Sequence, residues 1–375
     1  EGQLLEINVN KSKVLYQITE GITKIEQLES KNQNGFIIGE AIQLGTWNND
    51  KLKFEQFGWV PDINTPVYFA SKIPNVPLEA KEYQIGVIPN TNYPVIINKE
   101  IAITHHTAIL GVTGTGKSTF ARNLIRQFIA EPDTKVICID FTKEYMGKFP
   151  DINPQNIVAN QRASAIFKCI DFIVTEQEKF ANQQNKPMMQ KAERKLKRNF
   201  YRSMIEFLNG NDRLSIFELP DVSNTTGILE YTRYFFRCLF QIARDRKNYG
   251  KKICIVLEEA HTVIPEWNFI GLSEKSSQSL VNNIGQVALQ GRKYDIGFLV
   301  IAQRTANVSK TVLTQCNSII AFQEFDRTSS EFLANYFGDN VSKILPNLKF
   351  KQAIAAGKAF KSNVPMIFEV PDLAT

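Results

Sequence analysis

Residues 111–118 read GVTGTGKS and fit the pattern G-x-x-x-x-G-K-[ST] of a phosphate-binding loop. Glycines let the backbone wrap a phosphate with its N–H groups pointing inward, a lysine reaches the β- and γ-phosphates, and the last hydroxyl coordinates Mg²⁺. An apolar run precedes the segment and a helix-like stretch follows it, which is the context that this chemistry requires, whereas an ordinary glycine-rich turn is the alternative. We predict that ATP and Mg²⁺ bind here through Gly111, Thr113, Gly114, Thr115, Gly116, Lys117, Ser118 and Thr119.

Two adjacent carboxylates stand at the end of a second apolar run, residues 253–257. Hydrolysis of a nucleoside triphosphate needs one carboxylate to hold Mg²⁺ through water and one to orient the attacking water. We assign Glu258, together with Ser118, to the metal and Glu259 to the base. The alternative is a pair of solvated acids at a strand end.

Two further polar residues have two interpretations each. Asp140 ends the apolar run 135–139 and either contacts the metal or its waters, or caps the turn that follows. His261 either orients Glu259 through a hydrogen bond or is simply a polar residue at the start of a helix. The sequence leaves both choices open.

An amide and a guanidinium complete the candidate catalytic set. Gln303 follows the apolar run 298–302, and if that strand lies beside the strand before the P-loop, the amide can sense the γ-phosphate and the attacking water. Arg292 lies just upstream and can stabilise transition-state charge in its own subunit or in a neighbouring one. A surface ion pair is the alternative for this arginine.

The elements that must position these residues fall into two regions. Residues 1–92 contain short apolar or alternating runs separated by Asn, Gly, Pro and Asp, which favours a small sheet or barrel. Beyond the prolines at 77, 89 and 94, buried strands alternate with helical segments, which indicates a parallel α/β sheet. We predict an α/β fold with a small N-terminal sheet or barrel at residues 1–90. A P-loop α/β core follows at residues 91–375, with a helical insertion at about residues 160–250 that includes one strand at 213–219.

Charge is distributed unevenly between these regions. The chain has 44 Lys and Arg against 38 Asp and Glu, a net charge of +6. Residues 1–92 hold 8 basic and 11 acidic residues and no arginine, so residues 93–375 hold 36 basic and 27 acidic residues. This asymmetry indicates different tasks for the two regions and a polyanion as partner of the second.

Composition excludes several classes of protein. Hydrophobic residues make up 43% and charged residues 22%, which is typical of a globular chain and not of a disordered one. The longest apolar runs are far shorter than the roughly 18 residues of a membrane span. The five cysteines are widely spaced without a CxxC pair, so we expect reduced, buried thiols, a cytoplasmic protein and no structural zinc site.

Five motifs in order resemble the HerA-type ATPases of the FtsK–HerA group. They are GVTGTGKS, DFTKEY, IVLEEAH, GRKYDIGFLVIAQR and NVSKTVLTQCNSIIAF, and they span residues 111–322. The resemblance implies a small N-terminal β-barrel at residues 1–90 and a RecA-like P-loop ATPase core with a helical insertion at residues 91–375. It also implies a homo-hexameric ring that hydrolyses ATP to translocate double-stranded DNA. It implies catalytic roles for Lys117, Glu258, Glu259 and Gln303, and makes Arg292 an arginine sensor near the γ-phosphate.

The resemblance also bears on partners. Members of the family work with a nuclease, and some bacterial members stand beside a nuclease or a sirtuin-type effector in anti-phage systems, so a protein of either kind is the implied partner. The N-terminal region is then the ring or partner contact. The alternative function is an assembly scaffold whose ring recruits and activates such an effector, with translocation secondary.

A translocating ring must hold DNA phosphates in a cationic channel. We expect this contact from loops that follow the carboxylate strand and the Gln303 strand, with Lys275 and Lys310 as the contacting residues. A basic run at residues 191–202 could also meet phosphates, although a solvated helix face is the more common explanation of such a run.

Overall fold

The computed structural model describes residues 1–23, 37–75, 77–140, 145–218, 225–246, 248–266, 285–286 and 289–371. The chain divides into two compact units. The first unit comprises Glu1–Ala102, Ile109–Phe120 and Asn317–Thr375, and the second comprises Ile103–Ala108 and Ala121–Cys316.

The strands and α-helices whose bounds lie within the described residues are numbered here in chain order. The strands are β1 Leu4–Val9, β2 Ser12–Thr23, β3 Ile37–Asn48, β4 Lys53–Glu55, β5 Val67–Phe69, β6 Glu82–Val87, β7 Pro94–Asn98, β8 Thr107–Leu110, β9 Thr134–Asp140, β10 Gln155–Asn156, β11 Leu214–Glu218, β12 Lys252–Leu257, β13 Ile296–Ala302, β14 Ser318–Ala321, β15 Gln352–Gly357 and β16 Met366–Glu369. The helices are α1 Lys99–Thr104, α2 Lys117–Ala130, α3 Tyr145–Lys148, α4 Asn160–Glu178, α5 Lys186–Asn209, α6 Thr225–Arg244, α7 Lys310–Leu313, α8 Arg327–Phe337 and α9 Asp339–Ser342.

The first unit begins with an antiparallel sheet in the order β4–β3–β2–β1–β5. Alternation along β1 and β2 turns Ile7, Val9 and Val14 into a small core. The structure does not confirm the predicted β-barrel, because in the described part of the chain this sheet is open. Its two edge strands, β4 and β5, have only three residues each, too few for the tilted, staggered pairing that closes a barrel.

A second sheet region of the first unit has the order β14–β15–β16–β6–β7. The pairs from β14 to β7 are antiparallel. The buried amide of Gln17 connects the two sheet regions, because it donates hydrogen bonds to the carbonyls of Gly2 (2.8 Å) and Ile367 (2.7 Å) and accepts one from the N–H of Ile367 (2.9 Å). Strand β6, which the sequence groups with the N-terminal strands, pairs instead with C-terminal strand β16.

The second unit contains the parallel sheet that the sequence predicts. Its strand order is β10–β11–β9–β12–β13–β8, and the pairs from β10 to β13 are parallel. Strands β9 and β13 are buried along their whole length, as expected for strands covered on both faces. His106, just before β8, accepts a hydrogen bond of 3.0 Å at Nδ1 from the N–H of Phe298 in β13.

Three long helices of the second unit, α4, α5 and α6, pack against one another in the region predicted to be helical. Strand β11 confirms the strand predicted at 213–219, and it lies in the sheet between β10 and β9. Stacked aromatic rings join the helices to this strand: Phe217 lies 4.0 Å from Phe235 and 4.8 Å from Tyr231 between ring centroids. The helical region is therefore tied to the central sheet by its own strand.

All five cysteines are buried as free thiols, in agreement with the sequence-based expectation. Burial raises the pKa of Cys254 and of Cys316 to about 12, so neither thiol is reactive at neutral pH. Within the described ranges, no helix is long and apolar enough to cross a membrane.

Candidate nucleotide site

The P-loop starts from a tightly packed glycine in the first unit. Gly111 has φ +140°, and a Cβ on it would lie 2.8 Å from Cβ of Phe322, so a larger residue does not fit. The next N–H, of Val112, donates to the carbonyl of Gln323 at 2.9 Å. The hydroxyl of Thr115 donates to the carbonyl of Val112 at 2.9 Å and closes the loop on itself. These contacts within the protein hold the loop in this shape.

The middle of the loop has the conformation and the groups that a phosphate chain needs. Gly114 (φ +84°) and Gly116 (φ +99°) lie in the left-handed region, and a Cβ on Gly114 would meet no atom within 4 Å. The buried side chain of Lys117 opens helix α2, followed by the half-buried Ser118 and the exposed Thr119. Backbone N–H groups at a helix start, a glycine bend and an ammonium group together fit bound phosphates.

The predicted metal-side carboxylate lies in the second unit, directly after β12. Glu258 accepts a hydrogen bond of 2.6 Å at Oε2 from the hydroxyl of Tyr145, a residue that is only 2% exposed. Burial and the neighbouring Glu258 raise the pKa of Tyr145 well above its usual value, so the hydroxyl keeps its proton. The second carboxylate oxygen of Glu258 is a hard donor of the kind that Mg²⁺ prefers.

Asp140, at the end of β9, is fully buried. Its Oδ2 accepts a hydrogen bond of 2.7 Å from the N–H of Tyr145, the first residue of α3. The cap that the sequence allows for Asp140 is therefore observed, and the metal contact stays a prediction. Tyr145 holds both carboxylates, a role that sequence analysis missed although the residue belongs to the DFTKEY motif.

The predicted base has an unusual backbone conformation. Glu259 has φ +47° and ψ +51°, left-handed values that a glutamate rarely adopts. This bend lets the N–H of Thr262 donate to the carbonyl of Glu259 at 2.8 Å, which starts the 3₁₀ helix Ala260–Thr262. The bend sets the position, just after strand β12, from which the Glu259 side chain extends.

The geometry decides between the two interpretations of His261. Nδ1 of His261 lies 3.3 Å from Oε2 of Glu259 but makes no hydrogen bond with the described residues, so it does not orient the carboxylate by one. Burial lowers the pKa of His261; Glu259 raises it and Arg304 lowers it further. Because burial dominates, the imidazole is neutral at pH 7.

Three predicted residues follow neighbouring parallel strands. Asp140 ends β9, Glu258 follows β12 and Gln303 follows β13, and the registers pair Leu257 with Ile139 on one side and with Val300 on the other. The carboxyl ends of these strands meet at one edge of the sheet, so the structure brings the three side chains to that edge as predicted. Gln303 is half-buried there.

Arg292 lies elsewhere. It is exposed on the 3₁₀ helix Arg292–Tyr294, which precedes β13, whereas Gln303 follows the same strand. Seven strand residues at about 3.3 Å each separate the two ends by about 20 Å. Arg292 is therefore too far from Glu258 and Glu259 of its own chain to act with them, which leaves a role in a neighbouring subunit or a surface position as the two interpretations.

Of the two lysines predicted to contact DNA, the structure describes Lys310 and not Lys275. Lys310 opens helix α7; its N–H donates to Oε2 of Glu266 at 2.7 Å and its half-buried ammonium reaches the carbonyl of Thr305 at 3.4 Å. Lys275 lies outside the described residues. Within those residues, no three His, Cys, Asp or Glu side chains are grouped to hold a metal ion, which is compatible with Mg²⁺ because it keeps several waters and few protein ligands.

Comparison with known proteins identifies the family of the chain. The family model described as the central domain of helicase HerA matches residues 83–337. The chain belongs to this family. The match confirms the resemblance to HerA-type ATPases drawn from the five motifs, and with it the predicted class of enzyme, an ATPase.

Individual relatives are distant. The DNA double-strand break repair helicase HerA of Sulfolobus acidocaldarius is 22% identical, over 98% of this chain and 83% of its own length. The probable DNA double-strand break repair helicase HerA of Methanocaldococcus jannaschii is 27% identical over 32% of this chain, and the matched part is 22% of that relative's length. Among solved structures, VirB4 of Thermoanaerobacter pseudethanolicus superposes with a TM-score of 0.48 at 11% identity, covering 80% of this chain and 98% of VirB4.

Proposed function

We propose that this HerA-type ATPase is a motor that uses ATP to translocate on double-stranded DNA. The observation that carries the proposal is the pair of carboxylates and the glutamine at the ends of adjacent parallel strands, in a chain with a formed P-loop. Relatives that the chain matches are named DNA double-strand break repair helicases, which supports DNA as the track.

In this proposal each group has a defined task at the nucleotide. The P-loop holds the triphosphate, with Lys117 at the β- and γ-phosphates. Ser118 and Glu258 hold Mg²⁺, which neutralises charge on the phosphate oxygens when bound. Glu259 accepts a proton from the attacking water, and the Gln303 amide orients that water. Asp140 supports the metal side through Tyr145.

The position of Arg292 supports a ring. An exposed arginine about 20 Å from its own carboxylates can complete an ATP site only in a neighbouring copy. Head-to-tail contacts of this kind generate closed rings when the rotation between copies closes. We propose a homo-hexamer, in line with the family.

The N-terminal region, residues 1–90, is the proposed ring or partner contact, and residues 91–375 are the proposed ATPase domain. The N-terminal contact is supported by a set of large apolar side chains that are exposed in the first unit: Trp59, Val60, Ile63, Tyr68 and Phe69. A concentration of such side chains in one short segment is typical of an interaction site. The proposed partner is a nuclease or a sirtuin-type effector, acting in DNA end processing or anti-phage defence in the cytoplasm, where the five free thiols stay reduced.

ATPase assays with and without linear duplex DNA at low salt test the motor. We expect stimulation by DNA, and activity per chain that rises with protein concentration until rings form, with mass photometry as the measure of assembly. If ATP is hydrolysed but duplex DNA neither binds nor stimulates, the motor proposal fails. The same apolar segment then favours the second candidate function, a ring that recruits and activates the effector.

A further inference from the structure

An exposed aromatic ring lies against the P-loop in the first unit. Phe350 is 66% exposed, among the most exposed large apolar side chains described. A Cβ placed on Gly116 would be 3.9 Å from Cε2 of Phe350 and 3.5 Å from Cγ of Lys351, which is ordinary van der Waals contact. The backbone joins the contact, because the N–H of Lys351 donates to the carbonyl of Thr115 at 3.2 Å.

The turn that carries this ring, residues 349–352, is fixed from several directions. The buried side chain of Gln352 accepts from the N–H of Lys349 at 3.1 Å and donates to Glu369 at 3.0 Å. The N–H of Gln352 donates to the carbonyl of Lys349 at 2.9 Å, and the N–H of Val370 donates to the carbonyl of Lys351 at 2.9 Å. These hydrogen bonds fix the backbone of the turn, so the Phe350 ring stays exposed to solvent.

Lys351 itself is held in the left-handed region, with φ +64°. Its ammonium lies 5.3 Å from the centroid of the Phe350 ring. A rigid aromatic face with a cation beside it, in contact with a phosphate-binding loop, matches the chemistry of a nucleotide, which joins a flat π-system to a negatively charged phosphate chain.

We propose that Phe350 is the surface on which the nucleobase of the bound nucleotide stacks. The inference rests on the proposed nucleotide site and adds to it the subsite for the base. In this proposal the bound base covers the Phe350 ring, which accounts for an exposed phenylalanine on a fixed turn. Holding the ring in place before binding reduces the ordering cost of the complex.

The proposal has a consequence for specificity. Stacking on an aromatic ring uses the π-face that every base has, so it adds affinity without selecting a base. Phe350 should therefore strengthen binding of ADP and GDP to a similar degree.

The test is titration calorimetry of the full chain with ADP and with inorganic tripolyphosphate, which carries phosphates but no base. Phe350→Ala should weaken ADP binding about tenfold, within the range that stacking of a base contributes, and should leave tripolyphosphate affinity within about twofold of wild type. Phe350→Tyr should bind ADP nearly as wild type does, because it keeps the ring. Phe180→Ala removes a phenylalanine that is 78% exposed in the second unit and is the matched control, expected to change neither affinity.

The outcomes are separable. Unchanged ADP affinity in Phe350→Ala overturns the stacking proposal, as does an equal loss for ADP and tripolyphosphate, which would show that the turn only shapes the P-loop. Binding of neither ligand by the wild-type chain would instead refute the nucleotide site itself. Thermal unfolding of each variant identifies a loss that is due to misfolding.

Discussion

The hydroxyl of Tyr145 donates a hydrogen bond of 2.6 Å to Glu258, and the backbone N–H of the same tyrosine donates one of 2.7 Å to Asp140. One buried residue therefore holds the acids that end two neighbouring strands. The hydroxyl hydrogen bond fixes the orientation of the Glu258 carboxylate, which is the proposed metal-side group. Because the tyrosine is buried and its pKa is raised, it stays a donor throughout the working pH range.

Tyr145→Phe removes only this hydroxyl. A hydrogen bond to a charged group contributes about 1.5–3 kcal/mol, so we expect kcat to fall by between about tenfold and about a hundredfold. The Mg²⁺ concentration for half-maximal activity should rise. ADP affinity should not change. Steady-state phosphate release over a Mg²⁺ titration measures both effects. Tyr249→Phe, at a tyrosine that is 54% exposed, is the control, and a Tyr145→Phe enzyme with the wild-type Mg²⁺ profile would contradict the role.

The P-loop lysine and the base should separate binding from hydrolysis. Lys117→Ala removes the contact to the β- and γ-phosphates, and we expect a loss of hydrolysis of about a hundredfold or more, the size typical of removing a group that stabilises transition-state charge. Glu259→Gln should lose hydrolysis but retain ATP after gel filtration. The exposed Glu178→Gln is the matched control. Phosphate release at the wild-type rate in either site variant would refute the assignment.

DNA stimulation should depend on cations and on salt. Lys310→Ala and Lys275→Ala should each reduce stimulation by duplex DNA, because each removes a proposed phosphate contact, while basal hydrolysis persists. The effect should be similar for every DNA sequence, since phosphate contacts carry no base information. Binding should weaken steeply from 50 to about 200 mM salt. Lys168→Ala, at an exposed lysine of helix α4, is the control. Loss of basal activity in Lys310→Ala would show that this residue serves the fold of its loop instead.

Stability should depend on pH through His261. Its pKa is lowered, mainly by burial, so the folded chain binds fewer protons at this site than the unfolded chain does. The stabilising contribution is therefore present above the ordinary histidine pKa of about 6.5 and is lost as pH falls below it. Urea unfolding at pH 7.5 and 5.5 should show a smaller decline in the free energy of unfolding for His261→Gln than for wild type. Equal declines would exclude the effect.

Much of the site was predictable because its signals are local. The P-loop pattern, the apolar run before the two glutamates and the run before Gln303 each lie within about ten residues, and parallel strands that end in polar residues place them at one edge. Contacts between distant parts of the chain gave no such signal. Gln17 bonds to Ile367 across 350 residues, and strand β6 pairs with β16, so the partners of the N-terminal strands could not be predicted from the pattern of those strands.

Two features of the fold were beyond the sequence analysis for the same reason. The short strands allowed a sheet or a barrel, and the choice depends on the length and register of the edge strands, which composition does not encode. The role of Tyr145 was missed because its hydroxyl meets a carboxylate 113 positions later.

The left-handed backbone of Glu259 lowers the stability of the fold, whereas the proposed role as base requires a glutamate at this position. At φ +47° an L-residue other than glycine loses about 1–2 kcal/mol relative to a right-handed conformation, and a glycine there would be relieved of that strain. A sequence optimised for thermostability alone would therefore replace the proposed base. Retention of glutamate at this position keeps the protein below its attainable stability, and a redesign that replaced it by glycine would gain stability at the cost of the proposed base.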